Sequence, residues 1–276
     1  MNYNRDVEKF EIEGYLLHSL EDKEDVFAVR DIFKGELKKI LGKEIELEDY
    51  HNHVKDDDQH QKIHYKLYKY LLTNQNHIAF FTKNQKFFES IMGLDVDIQI
   101  EPKFRISRPG KPQDNIGYHY DLDYGNSPYE VSCMINLTDV DEGGAVRFLS
   151  RSHAQPKLKT HPVESVGVEK GSIKHQLGVP YLLQRVVDES YKSEMFPIPF
   201  NVGEVLCFDF GILHGLEVSN SETTRFSIDC RLKSPLANSG VRQGYYKSLF
   251  RSPLAKAAAR FYEANPDALE EDRSVG

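Results

Sequence analysis

The sequence predicts a mainly β protein with flanking helices, an antiparallel barrel or sandwich behind a helical N-terminal third. Three observations carry this. Residues 1–94 place their apolar side chains at helical spacing, the period changes to two at residue 95, and the later strand-like runs are separated by turns instead of helices. Strands without regular intervening helices argue against a parallel sheet.

The elements follow in order. Val7, Phe10, Tyr15, Leu16 and Leu20 form a first helical pattern, and Val26, Val29, Ile32, Phe33, Leu37 and Ile40 form a second that Gly42 stops. Residues 43–60 are polar and predicted as loop, including His51-Asn52-His53 and Asp56-Asp57-Asp58, the latter expected to be solvated. Helical spacing resumes over 61–94 with Ile63, Leu67, Tyr70, Leu71, Ile78, Phe81, Phe87, Phe88, Ile91 and Met92. In DVDIQIEPKFRISR, Val96, Ile98, Ile100, Phe104 and Ile106 are spaced as one face of a strand. Further strand-like runs are 129–137, 145–149, 204–210 and 225–232, punctuated by PGKPQDNIG, DVDEGG and NVG. Residues 154–200 interrupt the pattern. A connection that long inside a compact domain usually serves function, here as a lid. The whole chain, 1–276, is expected to be one domain: 1–94 mostly helical support, 95–235 the β core carrying the 154–200 insertion, and 236–276 a helical tail.

The 276 residues suffice for a sizeable core, and 39% hydrophobic with 28% charged residues is ordinary for a soluble protein. The net charge of −8, with no Lys/Arg cluster, argues against nucleic acid as partner. No apolar leader and no run long enough to span a membrane is visible, and Cys133, Cys207 and Cys230 contain no C-x-x-C pair. A cytoplasmic protein with free buried thiols is expected, acting on a small molecule and not at a membrane.

The chemistry concentrates in His119-Tyr120-Asp121, then His214, then Arg225 eleven residues further on. Residues two apart on a strand share a face, so His119 and Asp121 can reach one metal. His214 lies at the mouth of another strand between Gly211 and Gly215, which permit close turns. Two imidazoles and one carboxylate make the facial triad of a non-haem Fe(II) oxygenase, leaving the opposite positions open. The guanidinium fork of Arg225 suits the distal carboxylate of 2-oxoglutarate. Arg105, Ser107 and Asn136 are candidates for the rest of the cosubstrate shell. Tyr118, Tyr120, Tyr124, Arg147 and His175 are candidates for substrate contact, Arg147 toward an anionic one. His153 is expected to be structural.

Three segments resemble the Fe(II)/2-oxoglutarate-dependent oxygenases, most closely the phytanoyl-CoA hydroxylase-like family: FRISRPGKPQDNIGYHYDLD, LTDVDEGGAVRFLSRSHAQP and NVGEVLCFDFGILHGLEVSNSETTRFSIDCRL. Gly143, Gly144, Ser152 and His153 match the middle motif, and Gly203, His214, Gly215, Asn220 and Arg225 match the last. The resemblance covers about 100–232. It implies a double-stranded β-helix (jelly-roll) core, iron on His119, Asp121 and His214, and the 2-oxoglutarate C5 carboxylate on Arg225. It departs at Tyr118 and Tyr120, where the family often has Trp and Gln, and at Ser150-Arg151 in place of Pro-Gly. The related halogenases replace the triad carboxylate by Ala or Gly, so Asp121 argues against halogenation. What remains is hydroxylation, desaturation, epoxidation or cyclisation at a C–H bond of a metabolite. O2 and 2-oxoglutarate would be consumed, and succinate and CO2 released. The breadth of the family suggests specialised metabolism. Two other readings share the pattern: a cupin-type metalloenzyme without 2-oxoglutarate, and a non-catalytic metal-binding jelly-roll protein.

Overall fold

The computed structural model describes residues 3–165, 168–237 and 244–267. In chain order its elements are α1 (Tyr3–Glu13), β1 (Tyr15–Ser19), α2 (Glu24–Leu41), α3 (Tyr50–His53), α4 (Asp57–Asn74), α5 (His77–Lys83), α6 (Gln85–Met92), β2 (Val96–Gln99), β3 (Lys103–Ser107), β4 (Glu130–Asn136), β5 (Arg147–Phe148), β6 (Thr160–Glu164), α7 (Ile173–Gln176), β7 (Leu182–Val186), β8 (Phe196–Pro197), β9 (Glu204–Asp209), β10 (His214–Gly215), β11 (Arg225–Lys233), β12 (Tyr246–Phe250) and α8 (Pro253–Ala264). The major sheet runs β1-β9-β4-β11-β2-β12, with β3 also paired to β11, and every pairing is antiparallel. A minor sheet, β10-β5-β8, lies apart from it, and β6 and β7 form a separate hairpin. This is a jelly-roll core with flanking helices.

Strand alternation divides the core in two. Phe226, Ile228, Cys230 and Leu232 of β11, Phe104 and Ile106 of β3, and Val205 and Cys207 of β9 join one buried cluster with helix residues Val29, Phe33, Leu37, Leu67 and Leu71. The opposite strand face meets the minor sheet. There Met134, Leu206 and Phe208 pack with Val146, Phe148 and Ile212. The helices therefore back the major sheet, and its polar positions turn inward, toward the space between the sheets.

The local causes are plain. In α2, Val26, Val29, Phe33 and Leu37 recur at helical spacing and are buried, and Gly42 ends the helix in the left-handed conformation (φ 72°). Asp56 caps α4 by accepting from the Gln59 N–H. The Asp56-Asp57-Asp58 run is thus a helix start, and Asp57 also pairs with the buried Arg108 at 2.8 Å, so it is not simply a solvated stretch. Two further expectations are corrected. Tyr15 and Leu16 stand in β1, paired with Phe208 and Cys207 of β9, because an edge position on the major sheet outweighs their helical spacing. The 43–60 segment carries buried Ile45, Leu47 and Tyr50 and the short α3, so it packs instead of looping freely. The three cysteines are free and buried. No helix among the described residues is long and apolar enough to cross a membrane.

Candidate metal centre and cosubstrate pocket

His119 lies outside any named strand. It forms an isolated antiparallel bridge with His214, and the two backbones exchange hydrogen bonds (His119 N to His214 O 2.9 Å, His214 N to His119 O 3.1 Å). Asp121 opens a single 3-10 turn, Asp121–Tyr124. The side chains therefore converge through a bridge followed by a turn, not through continuous strand alternation as the H-x-D spacing suggested. One ligand atom from each of His119, Asp121 and His214 lies within 4.8 Å of the others, and all three residues are buried.

Each imidazole is oriented by its own backbone. His119 Nδ1 lies 2.8 Å from the Gly117 carbonyl and His214 Nδ1 lies 3.1 Å from that of Ile212. A carbonyl only accepts, so both Nδ1 atoms carry the proton and both Nε2 lone pairs are free. His119 Nε2 faces Asp121 Oδ1 at 3.6 Å. Burial, with His119 alongside, lowers the His214 pKa to about 4, which keeps its ring neutral and able to ligate. Burial alone would raise the Asp121 carboxyl, but the Arg231 guanidinium and the two imidazoles outweigh it and hold it well below the carboxylate range. Two imidazole nitrogens and one ionised carboxylate converging on a shared point suit a divalent transition metal.

Gly215 makes this approach possible. Its φ is +151°, and a Cβ there would lie 2.2 Å from the Gly117 carbonyl oxygen. Gly215→Ala should therefore push β10 away from Gly117-Tyr118. We expect metal affinity to fall at least tenfold, read by equilibrium dialysis, and an unchanged affinity would count against this packing argument.

The triad opens onto a cavity of about 400 Å³. The inward face of β11 supplies Arg225, Ser227, Asp229 and Arg231 to its wall, and β3 supplies Lys103 and Arg105. Arg225 Nη1 donates to the Gly144 carbonyl at 2.9 Å. Its Nε and the Ser227 hydroxyl are buried without a hydrogen-bond partner. Burial and the nearby Arg105 lower the Arg225 pKa to about 10, which still leaves it charged at neutral pH. Unsatisfied buried donors are costly, and two side by side on a cavity wall are what an incoming carboxylate would satisfy.

The structure sorts the remaining candidates. Arg105 reaches the cavity and donates to the Leu177 and Gly178 carbonyls (2.9 and 3.4 Å). Tyr124 also lines it, with its ring edge toward His119 and its hydroxyl accepting from Gln184 N–H. His175 lines it and stacks on Tyr181 at 4.5 Å. Ser107 instead donates to Asn115, and Asn136 donates to the Phe200 carbonyl; neither lines the cavity. Tyr118 packs edge-on against Tyr191, Tyr120 accepts from Leu158 N–H, and Arg147 donates to the Met195 carbonyl, all away from this cavity. His153 bonds the Glu11 carbonyl. The insertion contributes Gly178, Val179 and Pro180 to the cavity wall.

Lys103, Ser227, Asp229 and Arg231 were not among the candidates drawn from the sequence. Arg231 sits closest to the triad, with Nη2 3.3 Å from Asp121 Oδ1 and Nη1 donating to Asn126 at 2.9 Å. Asn126 in turn donates to the Asp121 carbonyl at 2.8 Å.

No family model and no curated protein matches the chain. Among solved structures it is similar to EvdO2 from Micromonospora carbonacea var. aurantiaca complexed with 2-oxoglutarate (TM-score 0.54, 14% identity, 87% of this chain and 94% of that one). It is also similar to the non-heme monooxygenase ThoJ (TM-score 0.53, 13% identity, 89% and 84%). A third is the epimerase SnoN in complex with Fe3+, alpha ketoglutarate and nogalamycin RO (TM-score 0.51, 14% identity, 91% and 93%). At these identities the likeness is one of fold.

Proposed function

We propose that the chain is a non-haem Fe(II), 2-oxoglutarate-dependent dioxygenase that oxidises a C–H bond of a small metabolite, most simply by hydroxylation. The observation that carries this is the pairing, on one cavity, of the His119–Asp121–His214 cluster with the unsatisfied donors of Arg225 and Ser227. The segments over 100–232 support the phytanoyl-CoA hydroxylase-like branch, and the iron and 2-oxoglutarate named for its fold neighbours agree with the cofactor pair.

His119 Nε2, His214 Nε2 and one Asp121 oxygen would hold Fe(II). Bound iron would supply the redox chemistry by which O2 is reduced and 2-oxoglutarate becomes succinate and CO2. The chain's own residues do the positioning. Arg225 Nε and the Ser227 hydroxyl donate to the C5 carboxylate, which fixes the cosubstrate at its far end. Arg105 faces Ser227 across the β3–β11 pair and adds a second guanidinium to the same wall. Arg231 holds one oxygen of Asp121, so the carboxylate is steadied against rotation. The Asn126–Asp121 bond steadies the backbone of the same turn. Tyr124 packs against His119, and Val179 and Pro180 of the insertion form part of the cavity wall. Hydroxylation asks least of these side chains, since the substrate needs only its C–H bond held still. The triad argues against a cupin-type centre, where more histidines are usual.

The test is anaerobic titration of metal-free protein with Fe(II) and then 2-oxoglutarate, watching for the weak visible charge-transfer band of the chelate. We expect the band to saturate at one equivalent of each. Bound metal without the band would move the assignment to a cupin-type enzyme, and no metal uptake would move it to a non-enzymatic role.

A further inference from the structure

The cavity carries more positive charge than the cosubstrate needs. Lys103, Arg105, Arg225 and Arg231 line it, against Asp114, Asp121 and Asp229. Asp114 is already committed to Arg108 at 2.7 Å. Fe(II) and the 2-oxoglutarate dianion cancel each other, so they leave four cations facing two carboxylates. Three of the four have partners within the chain: Arg231 has Asp121, Arg105 has two carbonyls and Arg225 has one. Lys103 Nζ has no hydrogen bond or ion pair among the described residues. Its neighbour Asp229 takes the Ser132 hydroxyl instead.

The position of Lys103 separates it from the cosubstrate end. In the β3–β11 register Ser107 faces Arg225, whereas Lys103 faces Asp229, four residues along. That is about 13 Å of strand, toward the Arg231 and Asp121 end. Gly178 makes room for the lysine: a Cβ there would lie 2.6 Å from Lys103 Cδ and 2.8 Å from Nζ. Burial, with Arg231 and Arg105 nearby, lowers the Lys103 pKa to about 8. Glu101 and Asp229 offset part of this, but neither forms an ion pair with Lys103, and a half-buried ammonium so placed gains from an anion in direct contact with it.

We propose that the substrate oxidised at this site carries an anionic oxygen group, a carboxylate or a phosphate monoester, and that Lys103 Nζ receives it. This rests on the 2-oxoglutarate oxygenase reading. It also relocates the anion contact from Arg147, which points elsewhere, to the wall of the cavity.

The experiment uses the anaerobic Fe(II) protein saturated with 2-oxoglutarate. Hexanoate, butyl phosphate and the neutral hexanamide are titrated in by calorimetry, and the chelate band is followed in parallel. At least one anion should bind tenfold or more tightly than hexanamide, and the better of the two identifies the group. Lys103→Met should remove that preference, and Lys103→Arg should keep most of it, while the 2-oxoglutarate affinity read from the band shifts much less in either. The proposal fails if hexanamide matches both anions, or if Lys103→Met binds them as the unaltered protein does. A chelate band with no anion preference overturns this proposal alone. Absence of the band in the unaltered protein overturns the oxygenase reading and this proposal with it.

Discussion

His214→Ala is expected to cost the protein its metal and its turnover while leaving the fold in place. The side chain supplies one of the three donors, with its Nε2 freed by the Nδ1 bond to Ile212. Loss of an outer partner of a ligand typically weakens metal binding 10–100-fold, so loss of the ligand itself should exceed about 100-fold. The bridge that holds this segment is made by backbone atoms of His119 and His214 and survives the truncation. Circular dichroism should therefore stay native-like, while Fe(II) binding by dialysis and 2-oxoglutarate consumption fall to background. His119→Ala should behave alike. Turnover at the unaltered rate in either variant would remove that histidine from the metal site.

Much of this was legible because the chemistry and the core share one alternation. In RFSIDCRL, Phe226, Ile228, Cys230 and Leu232 face the helices, so Arg225, Ser227, Asp229 and Arg231 must face the other way. Polar positions on a strand that is buried on both faces have to line something. Ser227 and Arg231 could have been found by that argument, and so could Lys103, which shares with Arg105 the face of β3 opposite Phe104 and Ile106. The strands themselves showed in the period, and the sequence singled out His119, Asp121 and His214, which the fold brings together by a bridge and a turn that the spacing did not foretell.

What stayed hidden depends on long-range pairing. Nothing local marks Tyr15–Ser19 as an edge strand, since its partner β9 lies nearly two hundred residues later. Ser107 shares the alternation of Arg105 yet bonds Asn115, because the chain turns after β3 and brings the 112–114 turn against it. Tyr118 and Tyr120 flank His119 in sequence, but the residue between them takes the inward face and leaves both to pack beneath the insertion. Arg108 is almost fully buried by its pairs with Asp57 and Asp114, an arrangement no charge count foretells.

Arg225→Ala should separate cosubstrate binding from metal binding. The guanidinium lies beside the unpartnered Ser227 hydroxyl, and its own Nε has no partner among the described residues. Charge-assisted hydrogen bonds of this type contribute about 1.5–3 kcal/mol each, and Ser227 remains to make one contact. A net loss near 3 kcal/mol corresponds to roughly a 100-fold weaker 2-oxoglutarate Kd. Fe(II) uptake should persist, since none of the three metal donors is touched. Arg225→Lys should recover part of the loss, because the charge returns without the planar fork. The pH profile sharpens the test. Arg225 is protonated below its pKa of about 10, so 2-oxoglutarate affinity should hold from neutral pH to about 9 and weaken as pH rises through 10. In Arg225→Ala that alkaline limb should vanish. If instead the affinity of the Ala variant equals that of the unaltered protein, the C5 carboxylate lies elsewhere, and Arg105 becomes the residue to replace next.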